Sequence, residues 1–227
     1  MVDAPARSDP SLYRILPFHR VAQIFEQQRL HFAHPSMWPD PYETKLRHRD
    51  SDRVFAQCWC KRGVSDAMWR IYSPDSLGVR IRTTRPLLTT ALKTAAGLLG
   101  VRTIIKHVKY LPESDLSHEV EAIADELAQQ HDYKLACEPL FMKRRAFHHE
   151  AEVRAVIYVP SNCETALEGG VKLPVDPHLL IQSILVDPRA PIEFVRAYKH
   201  YLSERLGYAG RVGQSALYAD TEPLEVL

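Results

Sequence analysis

The chain has 227 residues, of which 45% are hydrophobic and 25% charged, and its formal net charge is +1. This composition excludes a disordered chain, which has fewer apolar residues and a larger net charge, and it excludes a strongly basic protein that coats nucleic acid. The N-terminal residues contain no apolar core of a secretory signal, and no apolar run is long enough to span a bilayer. The four cysteines lack zinc-ligand spacing. We therefore expect a cytoplasmic protein with reduced thiols and no membrane partner.

Hydrophobic periodicity predicts an irregular succession of strands and helices. We expect a flexible tail over residues 1–10, because this stretch is rich in proline and in small or polar residues. The predicted strands are 12–16, 30–34, 54–61, 78–84, 101–111, 151–160 and 183–188. The predicted helices are 18–29, a short one capped by Ser65, 84–100, 114–138 and 190–207.

Helices and strands do not show the regular strand–helix–strand alternation of a parallel α/β fold. We therefore predict an α+β fold, with a mixed, mostly antiparallel central sheet and flanking helices. Residues 11–227 are expected to form a single domain, with 85–140 as a candidate helical insertion.

Three segments break the surrounding pattern, and such breaks concentrate at functional sites. The first is the loop 38–43, in which prolines on both sides of Asp40 restrict the backbone and present the carboxylate. Glu43 follows close enough to share a site with Asp40. The alternative is a tight turn in which Asp40 accepts hydrogen bonds from backbone amides.

The second segment, 66–73, carries Trp69, Tyr72 and Ser73. Helical spacing places the two aromatic side chains on one face, which suits a planar ligand. The alternative is that both rings are buried in the core.

The third segment is a basic run that ends in Glu-x-Glu at the start of a strand. Strand alternation places Glu150, Glu152 and Arg154 on one face, so the two carboxylates need nearby cations or a raised pKa. The alternative is an exposed polar strand edge. The basic residues are Lys143, Arg144, Arg145, His148 and His149.

Taken in order, these segments resemble the family called domain of unknown function 2971. The shared blocks are L-x-F-x-x-P followed by D-P-x-E, then W-x-x-Y followed by glycine, and then K followed by F-x-x-E-x-E-x-R. The matching positions are Asp40, Pro41, Glu43, Trp69, Tyr72, Gly78, Lys143, Phe147, Glu150, Glu152 and Arg154. The resemblance implies a bacterial or phage-borne protein, and it does not cover residues 85–140.

A second resemblance concerns mechanism. ADP-ribosyltransferases of the arginine-serine-glutamate type carry an arginine, a serine and Glu-x-Glu in that order, as do Arg14, Ser73 and residues 150–152 of this chain. Pro74 departs from the usual serine motif. The resemblance implies that NAD is the substrate and that no metal is required.

The same resemblance implies roles for individual residues. Glu152 would stabilise an oxocarbenium-like ribose, and Glu150 would deprotonate the acceptor, with Ser73 as the third catalytic residue. Arg14 would hold the pyrophosphate. Nicotinamide would stack on Trp69 or Tyr72, and Asp40 and Glu43 would belong to the same ligand site.

Three interpretations therefore stay open. The first is an NAD-using ADP-ribosyltransferase-like or glycohydrolase-like enzyme of a toxin or phage-defence system. The second is a nucleic-acid-binding or metal-dependent nuclease-like module, with Asp40, Glu43, Glu150 and Glu152 around a metal ion. Its phosphate contacts would be Lys143, Arg144, Arg145, His148, His149 and Arg154. The third is a non-catalytic interaction domain. Convergence of Arg14, Ser73 and Glu152 would favour the first.

Overall fold

The computed structural model of the protein describes residues 11–130, 132–163 and 170–219, so the predicted tail lies outside the described residues. The strands are β1 (Ser11–Pro17), β2 (Arg29–Phe32), β3 (Val54–Cys60), β4 (Gly78–Thr84), β5 (Arg102–His107), β6 (Lys109–Leu111), β7 (Met142–Arg144), β8 (Glu152–Tyr158), β9 (Val171–Pro174), β10 (Ser183–Val186) and β11 (Arg211–Gln214). The α-helices are α1 (Phe18–Gln27), α2 (Asp66–Tyr72), α3 (Arg85–Leu99), α4 (Glu113–Gln129), α5 (Tyr133–Cys137), α6 (Pro177–Leu180) and α7 (Ile192–His200).

Seven strands form the central sheet, in the order β11-β10-β4-β1-β3-β8-β5. Neighbouring strands run antiparallel except for the parallel pair β10 and β11. Two small sheets accompany it, antiparallel β2–β9 and parallel β6–β7. The predicted α+β fold with a mixed, mostly antiparallel sheet and flanking helices is confirmed.

The central sheet consists of two halves that meet at one point. Strand β1 pairs with β4 along its whole length, and β3 pairs with β8 along its whole length. Among the described residues, β1 and β3 share one registered pair, Tyr13 with Cys60. Cys60 is the last residue of β3, so the two strands part from this pair along the rest of β3, and a gap opens between the half-sheets.

The main core covers one face of the sheet. Helix α1 buries Val21, Ile24 and Phe25, which have the spacing that predicted this helix. Helices α3 and α6 and the β2–β9 ribbon pack beside it. Alternate strand residues meet these elements, among them Leu12, Phe55, Trp59, Val79, Ile81, Val153, Ala155 and Ile157. The other face carries a smaller apolar cluster, in which Val54, Ala56 and Val156 pack against Leu140 and Phe141.

The structure divides two predicted elements. The strand expected over 101–111 breaks at Val108, whose N–H donates to Glu152 O at 3.1 Å, and the chain then pairs as β6 with β7. The helix expected over 114–138 ends at Gln129, and α5 begins after Asp132, whose side chain accepts from Lys134 N. Segment 85–140 contributes the edge strand β5 to the central sheet. The short strands β7, β9 and β11 were not predicted, because their pairing partners are distant in sequence.

None of the four cysteines forms a disulfide among the described residues. Within the described ranges, no helix has the length and apolar character needed to cross a bilayer.

Candidate active site between the half-sheets

A cavity of about 680 Å³ occupies the gap between β1 and β3. Strand β1 lines one side and strand β3 the other, while β8, α2 and the loops around residues 40 and 147 complete the walls. The polar and aromatic side chains that line it include Tyr13, Arg14, Trp38, Asp40, Glu43, Tyr72, Arg80, Lys143, Arg144, Phe147, Glu150, Glu152 and Arg154. The three segments singled out in the sequence therefore share one cavity with β1.

Arg14 stands in this cavity without a carboxylate partner among the described residues. Burial lowers the pKa of its guanidinium, and the groups that oppose this shift are Cys58 and Tyr72, neither of them a carboxylate. A desolvated guanidinium without a counter-ion gains most from an anionic ligand. The position of Arg14 therefore favours binding of a phosphate group.

A chain of ion pairs forms the opposite side of the cavity. The ammonium of Lys143 donates to Glu150 Oε2 at 2.5 Å and to Glu152 Oε1 at 2.9 Å. The guanidinium of Arg154 donates to Glu152 Oε2 at 2.5 Å, to Glu43, and to Leu140 O at 2.9 Å. Its plane lies over the ring of Trp38 at 4.6 Å. All five ionic side chains are buried, so the network is shielded from salt and water.

The two carboxyl groups of Glu-x-Glu titrate in opposite directions. Burial and the hydrogen bond with Glu152 raise the pKa of Glu150 to about 8, despite the attraction of Lys143. Burial would also raise the pKa of Glu152, but hydrogen bonding with Glu150 and the charges of Arg154 and Lys143 hold it well below its usual range. Glu152 is therefore the ionised member of the pair at neutral pH, and Glu150 is the member that retains a proton.

Backbone geometry brings both carboxylates to one ammonium. Strand β8 begins at Glu152, whereas Glu150 ends a 3₁₀ turn over Arg145–Glu150. Strand alternation was therefore not the reason that the two side chains share a face. Ala151 between them has φ +46°, in the left-handed region that costs a non-glycine residue about 1–2 kcal/mol. Such backbone strain persists where the surrounding packing and hydrogen bonds hold the residue in place, as they do at ligand sites.

The proline-flanked loop folds as a 3₁₀ turn over Pro41–Thr44. Asp40 Oδ1 accepts from Tyr42 N at 3.1 Å and from Arg144 Nη2 at 2.9 Å, so Asp40 makes the backbone contact of a tight turn and also lines the cavity. Glu43 lies beneath it, paired with Arg154. Asp40 and Glu43 are therefore brought to the predicted site, each with a cation of the protein as partner.

The two aromatic residues of helix α2 that were predicted for the site lie in different environments. The N-cap of the helix is Ser65, as expected, and the Ser65 hydroxyl accepts from Met68 N at 3.3 Å. Tyr72 lines the cavity and is 41% exposed, and the charges of Glu150 and Glu152 act on its hydroxyl. Trp69 is 1% exposed and does not line the cavity. Its ring is buried, as the alternative interpretation of this segment expected.

Ser73 does not line the cavity. It is buried, and its hydroxyl accepts from Gly78 N at 2.9 Å, which ties the end of α2 to the start of β4. The structure therefore brings Arg14 and Glu152 to one cavity, whereas Ser73 lies outside its lining and makes a structural contact.

The basic run separates into internal and exposed groups. Lys143 and Arg154 are buried counter-ions of the glutamates, and Arg144 pairs with Asp40. Of the predicted phosphate contacts, Arg145 and His148 remain exposed. Among the described residues, no group of three or more His, Cys, Asp or Glu side chains is arranged to hold a metal ion.

The sequence reasoning missed Arg80. This residue of β4 lines the cavity, and its guanidinium lies 4.8 Å from the centre of the Tyr13 ring. The available signal was the alternation of Arg80 and Arg82 with buried Val79 and Ile81, which marks one charged strand face.

No protein-family model and no curated protein matches the chain, so the resemblance to domain of unknown function 2971 stays a prediction. Solved structures of DarT from Thermus sp. 2.9 are similar in fold. The complex with ADP-ribosylated single-stranded DNA has a TM-score of 0.43 and 13% identity over 91% of this chain and 94% of that one. The complex with carba-NAD+ has a TM-score of 0.42 and 12% identity over 92% and 97%, and the complex with NAD+ has 0.43 and 13% over 92% and 96%. Similarity at this level assigns no residue roles to this chain.

Proposed function

We propose that the cavity binds NAD+ and that the protein cleaves the bond between nicotinamide and ribose, passing ADP-ribose to an acceptor or to water. The observation that carries the proposal is that one cavity is lined by the guanidinium of Arg14, which has no carboxylate partner within the described ranges, and by an ionised carboxylate, Glu152. A dinucleotide carries an anionic pyrophosphate and a ribose that becomes cationic as nicotinamide leaves, so it needs both groups.

The strand register indicates a separation between Arg14 and Glu152 that a dinucleotide can span. Tyr13, Cys60 and Glu152 form one row across β1, β3 and β8. Neighbouring strands lie about 4.8 Å apart, so the backbones of β1 and β8 are on the order of 10 Å apart at this row. Arg14 is the next residue along β1. Alternation turns it away from the face of Tyr13 and Glu152, but it also lines the cavity, which lies in the gap between β1 and β3. A nucleotide that places its phosphates at Arg14 can therefore reach Glu152 with the adjoining ribose.

Glu152 suits the role of the stabilising carboxylate. Its two oxygens accept from Lys143 and Arg154, which keeps the group ionised and fixes its position. An ionised carboxylate has about four acceptor sites, so it can also accept a ribose hydroxyl. A fixed negative charge beside the developing oxocarbenium lowers the barrier without reorganisation at the moment of reaction.

Glu150 suits proton transfer. Its pKa of about 8 lies near neutral pH, where a group both accepts and releases a proton readily. In the proposed reaction, the ionised form of Glu150, about a tenth of the molecules at pH 7, takes the proton of the acceptor as the acceptor attacks the ribose and nicotinamide leaves. Tyr72 and Phe147 line the walls and offer ring faces to nicotinamide.

The metal-dependent alternative requires Asp40, Glu43 and Glu150 to face one ion. Each of them faces a cation of the protein instead, namely Arg144, Arg154 and Lys143 in that order. A purely structural network, the third interpretation, does not account for the unpaired Arg14. The arrangement therefore favours the NAD-using enzyme, and its toxin or phage-defence setting stays a prediction.

The first test is binding. Melting curves are recorded with and without NAD+ for the wild type and for Arg14→Met. At 100 times the dissociation constant, a ligand adds about 2.7 kcal/mol, which is a shift of about 5–10 °C for a chain of this size. Arg14→Met should lose the shift. Arg102→Met, on exposed Arg102 of β5, is the matched control and should keep it.

The second test is turnover, measured as nicotinamide release. Glu152→Gln should lower the rate by about a hundredfold or more, if charge stabilisation dominates. Glu119→Gln alters an exposed ion pair with Lys109 and should not change the rate. An absence of both NAD+ binding and nicotinamide release in the wild type would overturn the proposal.

A further inference from the structure

A single row of side chains crosses six strands and ends at the cavity. The registered pairs link Arg211 with Ser183, Ser183 with Arg82, and Arg82 with Tyr13. The row continues through Cys60 to Glu152. Because directly paired residues project to the same side of a sheet, all six side chains share one face. The half-sheet β11-β10-β4-β1 thus leads along this row to the candidate active site.

This half-sheet face is basic. Arg82 and Arg211 are exposed, and Arg80, two residues from Arg82, is half-buried on the same face. The residues at the other positions of this face are Ser11, Tyr13, Ile15, Pro17, Gly78, Thr84, Ser183, Leu185 and Gly213, and none is acidic. We call Arg80, Arg82 and Arg211 the arginine row.

Among the described residues, no carboxylate is paired with the arginine row. Arg82 Nε donates to the hydroxyl of Ser11 at 3.0 Å, and Arg80 lies over the Tyr13 ring, so both contacts are with neutral partners. Burial lowers the pKa of Arg80, and the neighbouring charge of Arg82 lowers it further. With a net charge of only +1 for the whole chain, this concentration of positive charge is local. Like charges held together gain stability when an extended anion lies across them.

We propose that the arginine row is a docking surface for single-stranded nucleic acid, whose phosphates lie along Arg211, Arg82 and Arg80 toward the cavity. The proposal goes beyond the proposed NAD chemistry, since it concerns binding and holds with or without turnover.

Two features favour a single strand over other polyanions. The row is one line of cations that leads into a cavity of about 680 Å³, which has room for a nucleotide but not for a base-paired duplex. The guanidinium of Arg80, held over Tyr13, also offers a surface on which an unpaired base can stack. A membrane surface would instead need an apolar insertion face beside the charges, and the half-sheet face carries mainly hydroxyl groups and arginines.

The test uses the full chain without NAD+. Fluorescence anisotropy with labelled 12-nucleotide single strands of DNA and of RNA gives the dissociation constant as a function of salt. Each phosphate contact to a single strand contributes a slope of about −0.7 to log K against log salt. We expect Arg82→Glu/Arg211→Glu to weaken binding at least tenfold and to reduce the slope by about 1.4 or more.

The matched control is Arg20→Glu/Arg196→Glu, which makes the same change in net charge on exposed arginines of α1 and α7. It should leave binding within about twofold, and the melting temperatures of both variants should stay near the wild type. Arg82→Glu/Arg211→Glu should keep the NAD+-induced melting shift of the wild type, which separates this proposal from the NAD chemistry. Equal weakening by the control, stronger binding to a duplex or to anionic lipid vesicles, or no binding by the wild type would each overturn the proposal.

Discussion

Glu150 and Glu152 accept hydrogen bonds from one ammonium group, that of Lys143, at 2.5 and 2.9 Å. Two carboxylates at one cation cannot both be fully compensated, and Arg154 decides between them because it pairs with Glu152. Glu150 therefore retains a proton far above the pH at which a glutamate ordinarily releases it. The unequal pairing therefore leaves Glu150 protonated and Glu152 ionised, although only one residue lies between them.

The raised pKa of Glu150 predicts a pH-dependent stability. The folded protein holds this proton up to about pH 8, whereas the unfolded chain releases it near its ordinary pKa of 4.5. The free energy of unfolding should therefore fall as pH rises from about 5 to 8, by at most about 1.4 kcal/mol per pH unit. Melting curves of the wild type and Glu150→Gln measure this, since the eleven histidines are common to both. A difference between the two proteins that stays constant from pH 5 to 8 would contradict the assignment.

Ala151→Gly tests the strained link between the two glutamates. At φ +46°, glycine avoids the left-handed penalty of about 1–2 kcal/mol but loses about 0.5–1 kcal/mol through its freedom in the unfolded chain. The net gain of about 0–1.5 kcal/mol predicts an unchanged or higher melting temperature, by up to about 6 °C. Ala155→Gly, in the middle of β8, is the matched control and should lower the melting temperature. Destabilisation by Ala151→Gly would show that the link is not strained.

Trp69 and Tyr72 should respond differently to truncation. Trp69→Ala empties a buried site and should cost about 3–5 kcal/mol. Tyr72→Ala removes a partly exposed wall of the cavity and should leave a folded protein with weaker NAD+ binding. Soluble yield, melting temperature and the NAD+-induced shift are compared for both variants. A stable Trp69→Ala variant that has lost the shift would instead place Trp69 at the ligand.

Arg14→Met should stabilise the free protein while it removes NAD+ binding. The guanidinium is desolvated and has no carboxylate partner in the part of the chain that the structure describes, so an apolar chain of similar length should raise the free energy of unfolding by about 1 kcal/mol. Chemical denaturation of the wild type, Arg14→Met and Arg102→Met provides the comparison. Loss of stability in Arg14→Met alone would reveal a structural role for Arg14.

Local patterns in the sequence determined most of the elements and part of the site. Alternation and helical spacing located β1, α1, β3 and α2, and Ser65 marked a helix start, because each of these signals lies within a few neighbouring residues. The prolines around Asp40 and the Glu-x-Glu run indicated two walls of the cavity for the same reason.

Only the tertiary structure determined which groups the charged side chains contact. The basic run looked like a surface for phosphates, but Lys143 and Arg154 are buried against glutamates, and one of these, Glu43, lies about a hundred positions earlier in the chain. The arginine row joins β4 to β11, and the cavity itself depends on the single registered pair between β1 and β3. These contacts depend on strand register between distant segments. Register is set by cooperative packing and hydrogen bonding of the whole sheet, so no local periodicity encodes it.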